Sequence, residues 1–357
     1  MNFSLDTEKI RLEAGAGSHM PDEREFPIAG STEEQSLFLL QYAVLAPSTR
    51  NTQPWKFSVT ENGIDVFADY TRRLPVADPG NRELLMSVGA AIMNLRVAAA
   101  RFGLTCHVHY NYSGDSERPL AIVGLAQVSR DLPLDQAVEL LFPAIKRRHT
   151  NRQPFLASRV PAAVLDRLQR TGLGYASSVH ISTDGRINEI VAELIAEADR
   201  TQLADPAYRK DVAEWMRPDW TSRQDGLSGA AMGTKGLASA LTPWATKVLD
   251  LGRMRAARDK NLCLEAPALV AIAGEDSVPS WLDAGELLER LLLTIVLEGM
   301  QVSYFNMPIH VPELRLRLRS TLGLTSWPQL LLRVGYCLSE SVPTPRRSID
   351  EVLVHTT

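Results

Sequence analysis

The chain has 357 residues, 45% of them hydrophobic and 22% charged, proportions that fit one large or two medium globular domains and exclude disorder and fibrous repeats. Thirty-eight Lys and Arg stand against 42 Asp and Glu, a formal charge of -4, so the overall field recruits neither nucleic acid nor an anionic membrane and any anion site has to be local. Cys106, Cys263 and Cys337 lie far apart without C-x-x-C spacing, which points to reduced thiols in a cytoplasmic protein and away from a disulfide framework or a thiolate zinc site.

Residues 1–20 end in Gly17-Ser-His-Met20, similar to a vector-derived tail, and are set aside from fold reasoning. Ser31-Thr-Glu-Glu34 is a capping box that predicts a helix through Leu37, Leu40, Tyr42 and Val44, ending before Pro47. The run Ala46-Pro-Ser-Thr-Arg-Asn-Thr-Gln-Pro-Trp55 then packs hydroxyl and amide side chains between prolines, a stiffened polar loop leading into a strand over Lys56–Thr60. Gly89 and Gly103 bracket an apolar run that reads as a buried helix stopped by glycine. A β-rich run follows from Pro119.

Lys146-Arg-Arg-His-Thr-Asn-Arg152 places four cations beside an imidazole and a hydroxyl, equipment suited to a phosphate monoester. Residues 200–250 carry prolines and glycines that break periodicity and predict a mobile, lid-like insertion. Gly285 and Gly299 then repeat the spacing of Gly89 and Gly103 around a second apolar helix. The stretch from Leu287 to Met300 is interrupted by Glu289, Arg290 and Glu298, short of the roughly 18 apolar residues of a spanning helix. Asp283, Glu286 and Glu289 read as the solvated start of that helix, and Val311–Leu324 as a short helix before a final strand from Pro328. His107, His109, His180, His310 and His355 stand apart without ligand spacing, so no metal site is expected.

Pro47, Ser48, Asn51, Gln53, Pro54 and Trp55 resemble the flavin loop of nitroreductase-type FMN enzymes. Arg148, His149, Thr150 and Arg152 fall on that family's phosphate-binding run, with threonine where serine is usual, and Pro343-Thr-Pro-Arg346-Arg347 resembles its closing basic segment. The resemblance implies an α+β, nitroreductase-like fold holding FMN through Pro47, Ser48, Thr49, Asn51, Gln53, Arg148, His149, Thr150, Arg152, Arg346 and Arg347. It also brings Asn306, in Tyr304-Phe-Asn-Met-Pro308, towards the flavin ring. NADPH or NADH would act as a transient reductant and a nitroaromatic or quinone as a small-molecule acceptor. A protein that stores FMN beneath a lid without turnover is the alternative.

The loop occurs once, early, and the arginines late, a pattern similar to the Acg-type branch, in which one duplicated chain mimics the family's homodimer. Residues 21–135 and 136–357 are the expected halves, with Thr242-Pro-Trp244 a worn remnant of the loop in the second. A pseudo-dimeric monomer is implied, with further dimerisation open and no nucleic-acid or membrane partner expected.

Overall fold

The computed structural model describes residues 21–115, 117–128, 136–338 and 341–354; Gly17–Met20 and His355 lie outside the described residues. Ser31 caps the first helix, α1 (Thr32–Ala43), reciprocally: its hydroxyl accepts from the Glu34 amide at 3.2 Å, and the Glu34 carboxylate accepts from the Ser31 amide at 2.8 Å. Strands β1 (Trp55–Thr60) and β2 (Gly63–Ala68) form a hairpin, followed by the long helix α2 (Arg82–Arg101), β3 (Leu104–Tyr110) and β4 (Ala121–Gln127). All neighbours in this first sheet are antiparallel, in the order β1-β2-β4-β3. Short helices α3 (Gln136–Glu139) and α4 (Phe142–Ile145) bury Val138, Phe142 and Ile145 in the same core. Leu282, Leu293 and Val296 of the later long helix belong to that core too, so residues 136–145 lie where the two expected halves join.

The second frame follows α5 (Ala162–Arg170) and begins with β5 (Ser178–Ser182). It leaves the sheet for α6 (Gly185–Ala204), α7 (Pro206–Ala213), the two-residue strands β6 (Met216–Arg217) and β7 (Leu227–Ser228), α8 (Gly229–Met232), α9 (Leu237–Val248) and α10 (Gly252–Leu264). The chain re-enters at β8 (Ala268–Gly274), then runs through the second long helix α11 (Val278–Leu297), β9 (Gln301–Tyr304), α12 (Pro312–Thr321) and β10 (Trp327–Gly335). This sheet is again antiparallel, in the order β5-β8-β10-β9. Each frame thus places its long helix between the second and third strands and slots the fourth strand between them. The closing helix α13 (Ile349–Val352) returns to the first half, where Leu353 bridges Phe57 of β1.

The two frames meet where α2 crosses α11. A Cβ on Gly89 would collide with the Leu282 carbonyl, and one on Gly285 would collide with the Met86 carbonyl, so each glycine faces the backbone one turn before the other. Glycine inside a helix costs roughly 1 kcal/mol relative to alanine. Here it permits a backbone approach that any side chain would block. By length and composition α2 could cross a membrane, but it is almost wholly buried within the protein as a core helix.

Three sequence expectations are corrected by this architecture. Residues 200–250 are mostly helical, because their apolar positions pack: Leu203, Tyr208, Val212 and Met216 form a core with Leu74 and Ala77 of the first half. Thr242-Pro-Trp244 lies inside α9 and has no loop character. Glu286 and Glu289 are buried, Glu289 completely. The face of α11 that carries them turns inward, where Glu286 meets Arg96 at 2.7 Å and Glu289 approaches Arg148 at 3.6 Å.

Candidate functional site

Behind α1 the chain cannot stay helical ahead of Pro47, and it turns through three residues with left-handed backbone: Arg50 at φ 54°, Asn51 at φ 57° and Gln53 at φ 52°. Such geometry costs non-glycine residues about 1 kcal/mol or more each and persists only where surroundings enforce it. Ser48 supplies part of that enforcement, its Oγ accepting from the Gln53 amide at 2.9 Å and its carbonyl from the Asn51 amide at 2.9 Å. The insertion supplies another part. Gly226 exchanges bonds with Asn51, its amide donating to the Asn51 carbonyl and its carbonyl accepting from Nδ2, both at 3.1 Å. Gln53 Nε2 donates to the Gln224 carbonyl at 2.7 Å.

This loop forms one wall of a cavity of about 620 Å3. Pro47, Ser48, Thr49 and Asn51 line it together with Arg148, His149, Thr150 and Arg152 from the basic run, Asn306, and Arg346 from the closing segment. Ten of the twelve residues expected at the site therefore share one space. Gln53 and Arg347 do not line it and instead hold each other: the Arg347 amide donates to Gln53 Oε1 at 2.8 Å and its guanidinium to the Gln53 carbonyl at 3.2 Å. They brace the loop from behind.

Arg148 and Arg346 converge on the Leu45 carbonyl, at 3.1 and 3.3 Å, and Arg346 also donates to Asn51 Oδ1 at 3.1 Å. Glu289 lies behind them. Burial pushes its carboxyl up to about 7 even though Arg148 and Arg346 pull the other way. Burial likewise lowers Arg346 to about 9, with Arg148 adding repulsion, and lowers Arg152 to about 10, with Arg255 and Arg50 contributing. These depressions mark guanidinium groups short of anionic partners. His149 Nε2, Tyr304 Oη, Arg50 Nε and Arg346 Nε are buried with no hydrogen-bond partner, whereas buried polar groups are nearly always paired. The wall is prepared for an anionic, hydrogen-bonding guest.

At another part of the cavity wall lies a group that sequence reasoning missed. Glu83, in the first turn of α2, accepts from Thr49 Oγ1 at 2.7 Å and from Asn306 Nδ2 at 2.9 Å, and its Oε1 lies 2.8 Å from His310 Nε2. Burial alone would raise this carboxyl, but His310, Arg82 and Thr49 together hold it well below the usual range. His310 is therefore not isolated as expected. Asn306, the predicted ring partner, has its oxygen accepting from the Leu331 amide at 3.0 Å, so it ties β10 to α2 through Glu83. Nothing in the local sequence pairs Glu83 with a histidine more than two hundred residues away; only the crossing of α2 and α11 brings them together.

Over nearly its whole length the chain is similar to proteins named as nitroreductases. No protein-family model matches the chain. It is 26% identical over 346 residues to Rv3131 of Mycobacterium tuberculosis (strain ATCC 25618 / H37Rv), covering 95% of this chain and 94% of that one. It is 27% identical over 326 residues to Acg of the same strain, covering 88% and 93%. Both relatives are named, provisionally, as NAD(P)H nitroreductases. Among solved structures, the FMN-dependent nitroreductase NfnB from Mycobacterium smegmatis, in complex with NADPH, aligns at TM-score 0.38 and 16% identity, covering 63% of this chain and all of that one.

Proposed function

We propose that the protein is an FMN-dependent oxidoreductase that moves hydride from NADPH or NADH to an electrophile such as a nitroaromatic or a quinone. The observation that carries this reading is the convergence of the strained loop at residues 47–51 with Arg148, Arg152 and Arg346 on one cavity, where Arg50 Nε, Arg346 Nε, His149 Nε2 and Tyr304 Oη are buried without partners. Its volume of about 620 Å3 falls within the roughly 300–1,000 Å3 of cofactor and ligand sites. The donor set fits a phosphate monoester attached to a flat polar ring system. Bound there, flavin supplies reversible two-electron chemistry as hydride.

The chain's own groups divide the work. Arg148, Arg152 and Arg346 hold the phosphate through charge-assisted bonds, roughly twice as strong as neutral ones, with His149 Nε2 and Thr150 beside them. Ser48, Thr49 and Asn51 line the same cavity and would border the ring system. Glu83 fixes Thr49, Asn306 and His310 in one arrangement and so positions both sides of the cavity at once. The relatives' names, Rv3131 and Acg among them, support the NAD(P)H part of the reading.

The matching strand orders and the mutual fit of Gly89 and Gly285 support two related halves within one chain that stand in for a dimer. A second reading, storage of FMN with little turnover, draws on the insertion: residues 224–227 sit against the loop, and Leu227 itself lines the cavity. Anaerobic addition of NADPH or NADH to the FMN-loaded protein separates the two. Bleaching followed by recovery of colour with a quinone supports turnover, failure with both nucleotides supports storage, and colourless protein that FMN does not stabilise rejects both.

A further inference from the structure

Helix α9 is built inside out. Leu237, Leu241, Trp244 and Val248, spaced i, i+4, i+7 and i+11, are 80, 60, 60 and 52% exposed, while Ser239 and Thr246 are the buried residues of the helix. The Ser239 hydroxyl pairs with Asp219 at 2.8 Å, so the inward polar face is satisfied and the orientation is specified. Leu249 and Met254 continue the exposed apolar side chains beyond the helix. Scattered exposed apolar residues are ordinary; a continuous helical stripe marks a surface that meets something.

The charges around the stripe select the partner. Lys235 and Lys247 flank its ends and Arg253 and Arg258 follow, all exposed, against a single exposed acid in this stretch, Asp250. A second copy packed antiparallel on the same face would bring Lys235 of one copy towards Lys247 of the other, cation against cation, since a twofold interface sets each end of the stripe against the opposite end. An apolar stripe containing tryptophan and edged by lysine and arginine instead has the composition of a helix that lies in a lipid interface, and its local charge suits an anionic leaflet. We propose that α9 docks the protein peripherally on an anionic lipid bilayer. The net charge of -4 that argued against a membrane partner is a whole-chain sum, whereas contact at a surface is governed by charges within about a Debye length of it. The proposal is independent of the cofactor reading, although the same insertion walls the cavity through Leu227 and Arg255.

Co-sedimentation of the full-length protein with vesicles provides the test. Phosphatidylcholine vesicles containing phosphatidylglycerol are expected to pull the protein down, pure phosphatidylcholine vesicles to do so weakly, and added salt to release it. Trp244→Glu and Leu241→Glu are each expected to lower partitioning about tenfold or more with unchanged melting temperature, because neither side chain supports the core. Lys247→Glu is expected to reduce binding to the anionic vesicles alone. Absence of sedimentation with the anionic vesicles, or equal binding by all variants, would overturn the proposal. A dimer by light scattering that Trp244→Glu converts to monomer, without vesicle binding, would assign the face to a second copy and overturn it equally.

Discussion

The two frames share one strand order and differ at one connection. In the first, β1 passes to β2 through a tight turn at residues 61–62; in the second, β5 and β8 are separated by residues 183–267, five helices and two short strands. The shared parts make the core and the crossing of α2 with α11. The unshared parts make the site: the strained loop from one half, the arginines from the other, and an insertion that reaches back to fasten the loop. Asp225 is central to that fastening, meeting Arg72 of the first half together with Arg217 and Arg223 of the insertion. The shared strand order builds the core, and the connections that differ build the walls of the cavity.

The widest break in this comparison comes from the shared crossing. Gly89→Leu and Gly285→Leu each force a side chain into the opposing helix backbone, where neither partner can yield; overpacking typically costs 1–3 kcal/mol, and backbone collision should exceed about 3 kcal/mol. Both variants are expected to yield little folded protein, and similar melting curves for the two would sharpen the equivalence of the halves. Next in size, Arg148→Ala is expected to weaken FMN about a hundredfold while leaving riboflavin affinity within a few-fold, since each charge-assisted bond contributes about 1.5–3 kcal/mol. Equilibrium dialysis measures both.

Asp225→Asn should act on the fastening of the insertion to the first half. It leaves Arg72 and Arg217 without their carboxylate, and the expected outcome is faster limited proteolysis between residues 214 and 228 with a melting temperature lower by a few degrees, equivalent to about 1–2 kcal/mol. Unchanged proteolysis would separate the insertion from the loop. The smallest effect concerns Glu289. Its carboxyl, raised from 4.5 to about 7 by burial, holds a proton in the folded protein that the unfolded chain releases above about pH 4.5. This group's contribution to stability therefore falls as pH rises from 4.5 to 7. Asp199, also raised to about 7 by burial, adds in the same direction, so the comparison is with Glu289→Gln, which should flatten part of the profile. By the same sign, FMN should bind a few-fold more tightly at pH 6.5 than at pH 8, where the Glu289 charge competes for Arg148 and Arg346, and Glu289→Gln should remove that dependence.

Much of the frame was legible because periodicity reports on burial. The capping box at Ser31 and the strands at 56–60 and from 328 formed where the sequence placed them, whereas the two long helices begin at Arg82 and Val278, well before the glycines expected to open them, which lie instead at the helix crossing. The loop and the basic runs were legible because prolines and clustered arginines are uncommon locally. What stayed hidden depends on partners distant in sequence. Glu289 has the spacing of a solvated helix face, and only the packing of α11 against Arg148 buries it. Glu83 reads as an ordinary first-turn acid until α2 brings it to His310. Gln53 and Arg347 carry the family pattern, yet the left-handed turn at residues 50–53 points them at each other. The stripe on α9 stayed hidden as well, because the prolines and glycines around it masked a helical period.

Titration of the cofactor-free protein with FMN and with riboflavin, followed by quenching of flavin fluorescence, bears most directly on the account. Arginines gathered from the carboxyl-terminal half around a phosphate predict that FMN binds at least about a hundredfold more tightly than riboflavin. Equal affinity for the two, or binding of neither, would contradict it.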